Sequence, residues 1–296
     1  MSTNPTLRLW AEPDRQDLTI LMGAACGDVA GSVYEANNIR YKLDADLLIH
    51  PRSRCTDDTV MTCAIAEALT TAMADLPADW MDDPSAEEKI LTAVRNSMQR
   101  FGRLYPGAGY GGKFYGWIMA DDPQPYNSWG NGSAMRVSPA GWFARSLEEA
   151  EKLGALTAQV THNHPEGVKG ASVIAGCIFL LRQHGNKDAV YEYARRFYDL
   201  NFTLDSIRDY YTFDVSCQGS VPQAIVAFLD GLDFADVLSG AISIGGDSDT
   251  IAAIAGSLAE VIYPIPEAIL TAVGKCLTDP LRTALTNAVR CTCERA

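Results

Sequence analysis

Two stretches limit the fold of this chain more than any other feature. Residues 60–73 and 251–263 are apolar nearly all round a helical wheel. A helix without a polar face has to be surrounded by other elements, so both are expected to be central, buried helices. Each is preceded at once by carboxylates and hydroxyls: Thr56-Asp57-Asp58-Thr59 before the first and Asp247-Ser248-Asp249-Thr250 before the second. Carboxylates gathered inside a protein cost roughly several kcal/mol each unless cations compensate them.

The rest of the chain follows the helical period. Residues 18–34 carry Gly23, Gly27 and Gly31 four apart, on one helix face, a stripe that lets another backbone approach closely. Residues 85–101 are amphipathic, and Ser146-Leu147-Glu148-Glu149 is a capping box that opens a helix through 160. Helices are also expected over 165–184, 187–198, 222–232, 266–276 and 280–290, with 210–215 as a weak strand candidate. The exception is 102–132, rich in Gly, Pro and aromatics. Its aromatics argue against disorder, and a connection this long without periodicity is usually functional. It reads as a binding loop over a helical body. No linker divides the chain, so the expectation is an all-α fold: one compact multi-helical domain over 1–296, with its core at about 18–290.

Composition narrows the partners. The 296 residues carry a formal net charge of −13, which argues against a nucleic-acid footprint of clustered Lys and Arg. A small anion needs only local donors such as helix N-termini. The eight cysteines show no CxxC pair and read as reduced thiols. The apolar run 18–26 follows Glu12, Asp14 and Asp17 rather than a basic segment, and no stretch of 18 apolar residues occurs. Neither a signal peptide nor a membrane span is expected, and the expected compartment is the cytoplasm.

The simple account of each acidic cluster is helix capping, since Asp and Thr satisfy orphan N–H donors. A cap needs one side chain, however, and each cluster offers two carboxylates plus hydroxyls. Four Asp groups with Thr hydroxyls form a hard, all-oxygen donor set suited to Mg²⁺, Mn²⁺ or Ca²⁺ rather than zinc. If the two helix starts converge, a binuclear site follows. Asp28 and Glu35 stand seven residues apart at the end of the glycine-striped segment. They read either as solvated acids or as a supporting carboxylate and a general acid/base.

The run from Gly23 to Glu35, then Thr56-Asp57-Asp58-Thr59, Gly130-Asn131-Gly132-Ser133-Ala134-Met135-Arg136, Thr161-His162-Asn163-His164-Pro165 and Gly245-Gly246-Asp247-Ser248-Asp249-Thr250 together resemble the ADP-ribosylglycohydrolase family. That family includes dinitrogenase reductase-activating glycohydrolase and the ADP-ribosylarginine and ADP-ribosylserine hydrolases. The five motifs occur in the family's order, spanning about residues 18–265. The resemblance implies an all-α fold and two divalent cations, Mg²⁺ or Mn²⁺, held by Thr56, Asp57, Asp58, Asp247, Asp249 and Thr250. It implies catalytic roles for Glu35, Asp58 and Asp249, with Glu35 gating the site or moving a proton. Gly109, Gly111 and Gly112 would let backbone N–H groups approach a diphosphate. Ser128, Trp129, Gly130, Asn131 and Gly132 would contact phosphate and base, with Trp129 stacking on adenine, and His162 would lie near phosphate or ribose. His164, before a proline that starts a helix, reads as structural.

The implied reaction is hydrolysis of the bond between ADP-ribose and an acceptor on a modified protein or small molecule, with arginine as the default acceptor and serine or nucleobase linkages as alternatives. Rival readings are a hydrolase of another nucleotide-like substrate, or an inactive ADP-ribose-binding or structural relative. Complete Asp/Thr clusters disfavour the latter.

Overall fold

The structure, a computed structural model, describes residues 20–295 except 75 and 78. The arm 1–17 and the first residues of the expected helix, 18–19, lie outside the described residues. Among the described residues the chain forms α-helices and no strand. They run α1 (Gly23–Gly31), α2 (Asp57–Met73), α3 (Pro84–Leu104), α4 (Gly112–Met119), α5 (Gly132–Met135), α6 (Ser138–Phe143), α7 (Leu147–Gln159) and α8 (Pro165–His184). There follow α9 (Lys187–Ala194), α10 (Leu204–Ile207), α11 (Cys217–Asp230), α12 (Phe234–Ser243), α13 (Ser248–Ala259), α14 (Glu267–Cys276) and α15 (Asp279–Arg295).

The peripheral helices begin where local chemistry sets them. Asp83 accepts from Ser85 N with Pro84 in the first turn of α3. Ser146 accepts from Glu149 N at 3.0 Å to open α7. His164 accepts from Glu166 N at 3.1 Å ahead of Pro165, so this histidine is the cap of α8. Such side chains satisfy donors that the first turn leaves without partners.

Several expectations change. The helix expected over 187–198 is α9, which stops at Ala194. Residues 210–215 form no strand, because a strand needs a neighbouring edge and the only pairing among the described residues is an antiparallel bridge, Gly130 with Ser216. Helix α11 starts at Cys217 rather than at Pro222, because Ser216 accepts from Gly219 N and sets the start. The segment 102–132 is not continuous loop: it contains α4, whose sequence GKFYGWIM lacks the polar face that would have marked it.

The two apolar helices are central, as their composition requires. Helix α13 packs against α1, α11 and α12, and α2 packs against α1, α3 and α15. The glycine stripe is the seam between α1 and α13. A Cβ on Gly23 would lie 2.2 Å from Gly256 O, one on Gly27 1.9 Å from Ala252 O, and one on Gly31 2.4 Å from Asp249 Cα. All three obstacles are backbone atoms, so the helices touch main chain to main chain. Glu260, following α13, accepts from Met22 N (2.9 Å) and Gly23 N (2.7 Å) and so caps α1. Burial pushes its carboxyl up to about 8. The consequence for function is positional: the seam sets Asp28 and the end of α1 directly beside Asp249. No helix of the described residues is long and apolar enough to cross a membrane.

Candidate active site

Capping fails at the two helices whose starts carry the acidic clusters. Thr56 and Asp247 occupy the N-cap positions of α2 and α13, and neither makes a side-chain cap. The cap of α2 comes from another helix. Asp28, fully buried on α1, accepts from Thr56 N at 2.9 Å and Thr59 N at 3.0 Å. It also accepts from Thr56 Oγ1 at 2.6 Å and from Thr59 Oγ1. With both oxygens spent on these donors, Asp28 supports the cluster rather than presenting itself to a ligand. The cluster's own carboxylates are thereby left for something else.

The two clusters converge. One oxygen each from Asp28, Asp58 and Asp249 lies within 4.8 Å of the others, and the same holds for Glu35, Asp247 and Asp249. Asp58 Oδ1 is buried and has no hydrogen-bond partner. Asp249 Oδ1 accepts from Thr250 N at 3.0 Å, and Asp247 Oδ2 accepts from Asn131 Nδ2 at 2.6 Å. Burial, reinforced by the neighbouring carboxylates, pushes Asp58 and Asp249 well above the usual carboxylate range and Asp57 up to about 7. Glu35 rises through burial and then Asp247. An orphaned buried carboxylate oxygen among mutually repelling carboxylates is what hard divalent cations compensate, so the donor set fits such a metal.

These carboxylates form one wall of a cavity of about 430 Å³. Glu35, Thr56, Asp57, Asp58, Asp247, Asp249 and Thr250 line it, together with Gly109, Gly111, Gly112, Ser128, Gly130, Asn131, Gly132 and His162. Gly109 sits at φ 116°, a conformation that favours glycine, and a Cβ there would lie 3.2 Å from Asp57 Oδ1. Gly111 and Gly112 open α4, and a Cβ on either would meet nothing within 4 Å, so a ligand has room against the first turn of that helix. Asn131 spends its amide on Asp247 and on Ser220 Oγ (2.9 Å), which makes it a support of the cluster. His162 is buried, with Nδ1 2.6 Å from Thr161 Oγ1 and Nε2 toward Gly130 and Gly132. Burial, and then Arg136, hold His162 well below the usual histidine range, so it stays neutral at physiological pH.

Trp129 is the exception. It is not in the cavity wall; it is 53% exposed and packs edge-to-face on His164 at 5.5 Å. Its neighbours Ser128 and Gly130 do line the cavity, so the indole stands at the rim. The backbone here is tied to the start of α11, where Trp129 O accepts from Cys217 N and Gly130 bridges Ser216. Residues to which sequence reasoning assigned no site role also line the wall, among them Arg54, Lys113, Phe114, Tyr126, Arg136 and Phe213. Arg136 is buried, donates to Thr157 O and Thr161 Oγ1, and has its Nε without a partner. It ends the Gly130–Arg136 motif and could have been singled out as a buried cation. Phe213 lies in a segment with no motif at all.

A metal-free test follows from these shifts. Carboxyl groups held above their unfolded values give stability that is present below about pH 4 and is lost as pH rises through the folded values. With Asp57 at about 7, the melting temperature in EDTA is expected to fall between about pH 5 and pH 8. Saturating Mg²⁺ or Mn²⁺ is expected to flatten or reverse that trend, since metal and protons compete for the same oxygens. A melting temperature that climbs with pH in EDTA would count against the unneutralised cluster.

The chain matches the ADP-ribosylglycohydrolase family model over residues 14–293. It is 28% identical to ADP-ribosylhydrolase ARH3 of Homo sapiens, covering 82% of this chain and 84% of that protein. The Mus musculus ARH3 is 26% identical, with 82% of each chain covered. ADP-ribosylarginine hydrolase Tri1 of Pseudomonas putida (strain GB-1) is 24% identical over 83% of this chain and 70% of its own length. Among solved structures, an ADP-ribosylglycohydrolase-related protein complex shares the fold with a TM-score of 0.65 at 21% identity, covering 93% of this chain and 97% of that one.

Proposed function

We propose that this chain, which belongs to the ADP-ribosylglycohydrolase family, is a divalent-metal-dependent hydrolase that releases ADP-ribose from a modified protein side chain. The observation that carries the reading is the meeting of the two Asp/Thr clusters in one cavity, with Asp58 Oδ1 buried and unpartnered. Two ions, Mg²⁺ or Mn²⁺, would be held by Asp57, Asp58, Asp247 and Asp249 with the Thr56 and Thr250 hydroxyls. When bound, they supply charge that orients ribose hydroxyls and makes a water more acidic.

The protein's own groups do the rest. The first turn of α4 at Gly111 and Gly112, beside Lys113, offers backbone donors and a cation to the diphosphate. Neutral His162 offers a ring nitrogen beside Gly130 and Gly132. Glu35, at the rim next to Asp247, moves the proton as water adds to the anomeric carbon and the acceptor leaves with its hydrogen restored. Arginine is the acceptor we favour, because one relative is named for that linkage. We place the activity in a single domain acting in the cytoplasm on ADP-ribosylated protein, without a membrane or nucleic-acid partner.

The test is release of free ADP-ribose from arginine- and serine-linked peptides, each with Mg²⁺, Mn²⁺ or EDTA. Release that EDTA abolishes, fastest from the arginine peptide, is the expected result. No release from either peptide in any metal would sink the reading. Trp129→Ala supplies a second check. An aromatic–base stack is worth roughly 1–3 kcal/mol, so ADP-ribose binding is expected to weaken by about 5- to 150-fold. Because the indole is exposed, the melting temperature should hold. An unchanged dissociation constant would move the base away from Trp129.

A further inference from the structure

The segment after Glu35 meets the turn Gly245-Gly246, where both glycines have positive φ (67° and 73°). Both backbone polar groups of Gly246 are taken by a single side chain. Asn38 Oδ1 accepts from Gly246 N at 2.8 Å, and Asn38 Nδ2 donates to Gly246 O at 3.1 Å. An N–H has to face the carbonyl oxygen of the amide, so this pair fixes which way the Asn38 side chain is turned. The same Nδ2 is shared with Tyr34 O at 2.6 Å and Glu35 O at 3.0 Å. One amide therefore joins the carbonyl of Glu35 to the peptide that leads into Asp247.

We propose that Asn38 is a positioning residue that holds Glu35 in register with the Asp247 turn, and that it acts on the reaction through Glu35. The inference rests on the hydrolase reading above. The remainder of the segment is anchored without Asn38. Arg40 donates to Arg208 O and to Ile244 O, and Ser239 Oγ bonds both Leu43 N and Leu43 O. Loss of the Asn38 amide thus loosens the residues around Glu35 and leaves the segment attached. Asn38 is itself exposed, so substitution leaves the core untouched. Its amide spans 208 positions in sequence, and no local pattern around Glu35 announces it.

The experiment compares wild type, Asn38→Ala, Glu35→Ala and the double variant, with Asn38→Asp as the conservative change. Hydrogen exchange over residues 244–250 is followed beside kcat and KM on the ADP-ribosylated peptide. Supporting partners of catalytic groups typically matter by about 10–100-fold. Asn38→Ala is expected to lower kcat by about tenfold at nearly constant KM, and to speed exchange at Gly246. In the Glu35→Ala background it should cause no further loss. Asn38→Asp keeps an acceptor for Gly246 N but has no donor for the carbonyls of Tyr34, Glu35 and Gly246, so it should still lose kcat. Wild-type kcat in Asn38→Ala, or an equal loss in the Glu35→Ala background, overturns the proposal. Should the wild type itself release no ADP-ribose, the functional reading fails. Exchange then judges the tie alone, and unchanged exchange at Gly246 in Asn38→Ala overturns it.

Discussion

Replacing Asp58 or Asp249 by Asn is expected to cut ADP-ribose release by at least about 10³-fold, or about 4 kcal/mol of transition-state stabilisation. The same change should leave the metal-free fold as stable as wild type or more stable. Both carboxylates are buried, face other carboxylates, and are pushed well above the usual range by burial first, and then by Asp249 at Asp58 and by Asp247 at Asp249. The amide keeps their shape and removes an ionisable group that the metal-free fold can hold only at a cost, either protonated or charged. Activity and stability are thus expected to move in opposite directions, which a merely structural carboxylate would not do. The pairing is checked by kcat in saturating Mn²⁺ and by thermal melts in EDTA. Added Mn²⁺ should raise the melting temperature of the wild type and do much less for either variant, because ligand binding stabilises only a fold that holds the ligand. Near-normal activity in Asp249→Asn would remove that carboxylate from the site's chemistry.

Gly27→Ala is expected to be the most damaging glycine-to-alanine change among the described residues, at about 3 kcal/mol or more. The added Cβ would lie 1.9 Å from Ala252 O, 2.2 Å from Ala252 C and 2.5 Å from Ala253 N. No side-chain rotation relieves a clash with backbone, so α1 has to move off α13. Asp28 stands next to this position and caps α2, which means the acidic clusters separate along with the helices. Loss of stability and loss of metal affinity should therefore appear together. Gly116→Ala in α4 is the control, since nothing lies within 4 Å of a Cβ there. It is expected to be neutral or to stabilise by about 0.5–1 kcal/mol. Chemical denaturation of the three proteins in EDTA decides the matter, and a Gly27→Ala midpoint equal to wild type would contradict the seam.

The helical body and its two central members were legible because those signals are local: an apolar wheel, a Ser146 cap, a His164-Pro165 start. The glycine stripe was legible as a close approach, but its partner was not, since nothing in residues 23–31 names α13. The residues lining the cavity were largely legible through motifs, whereas their convergence depends on Asp28 bonding Thr56 and Thr59 from another helix. Helix α4 escaped notice because eight residues with two glycines and no polar face carry no period. Trp129 is assigned to the site only through its motif, and its exposed indole is not among the side chains that line the cavity. Phe213 and Asn38 were invisible to sequence reasoning. Their partners are fixed by tertiary contacts across the chain, and a tertiary contact leaves no mark on neighbouring sequence.

The most direct test of the central claim is anomalous diffraction at the manganese edge from crystals grown with Mn²⁺. Two peaks in the cavity, in contact with the carboxylates of Asp57, Asp58, Asp247 and Asp249, are the predicted result. No peak there, or manganese bound only elsewhere on the surface, would contradict a metal centre built from the two clusters.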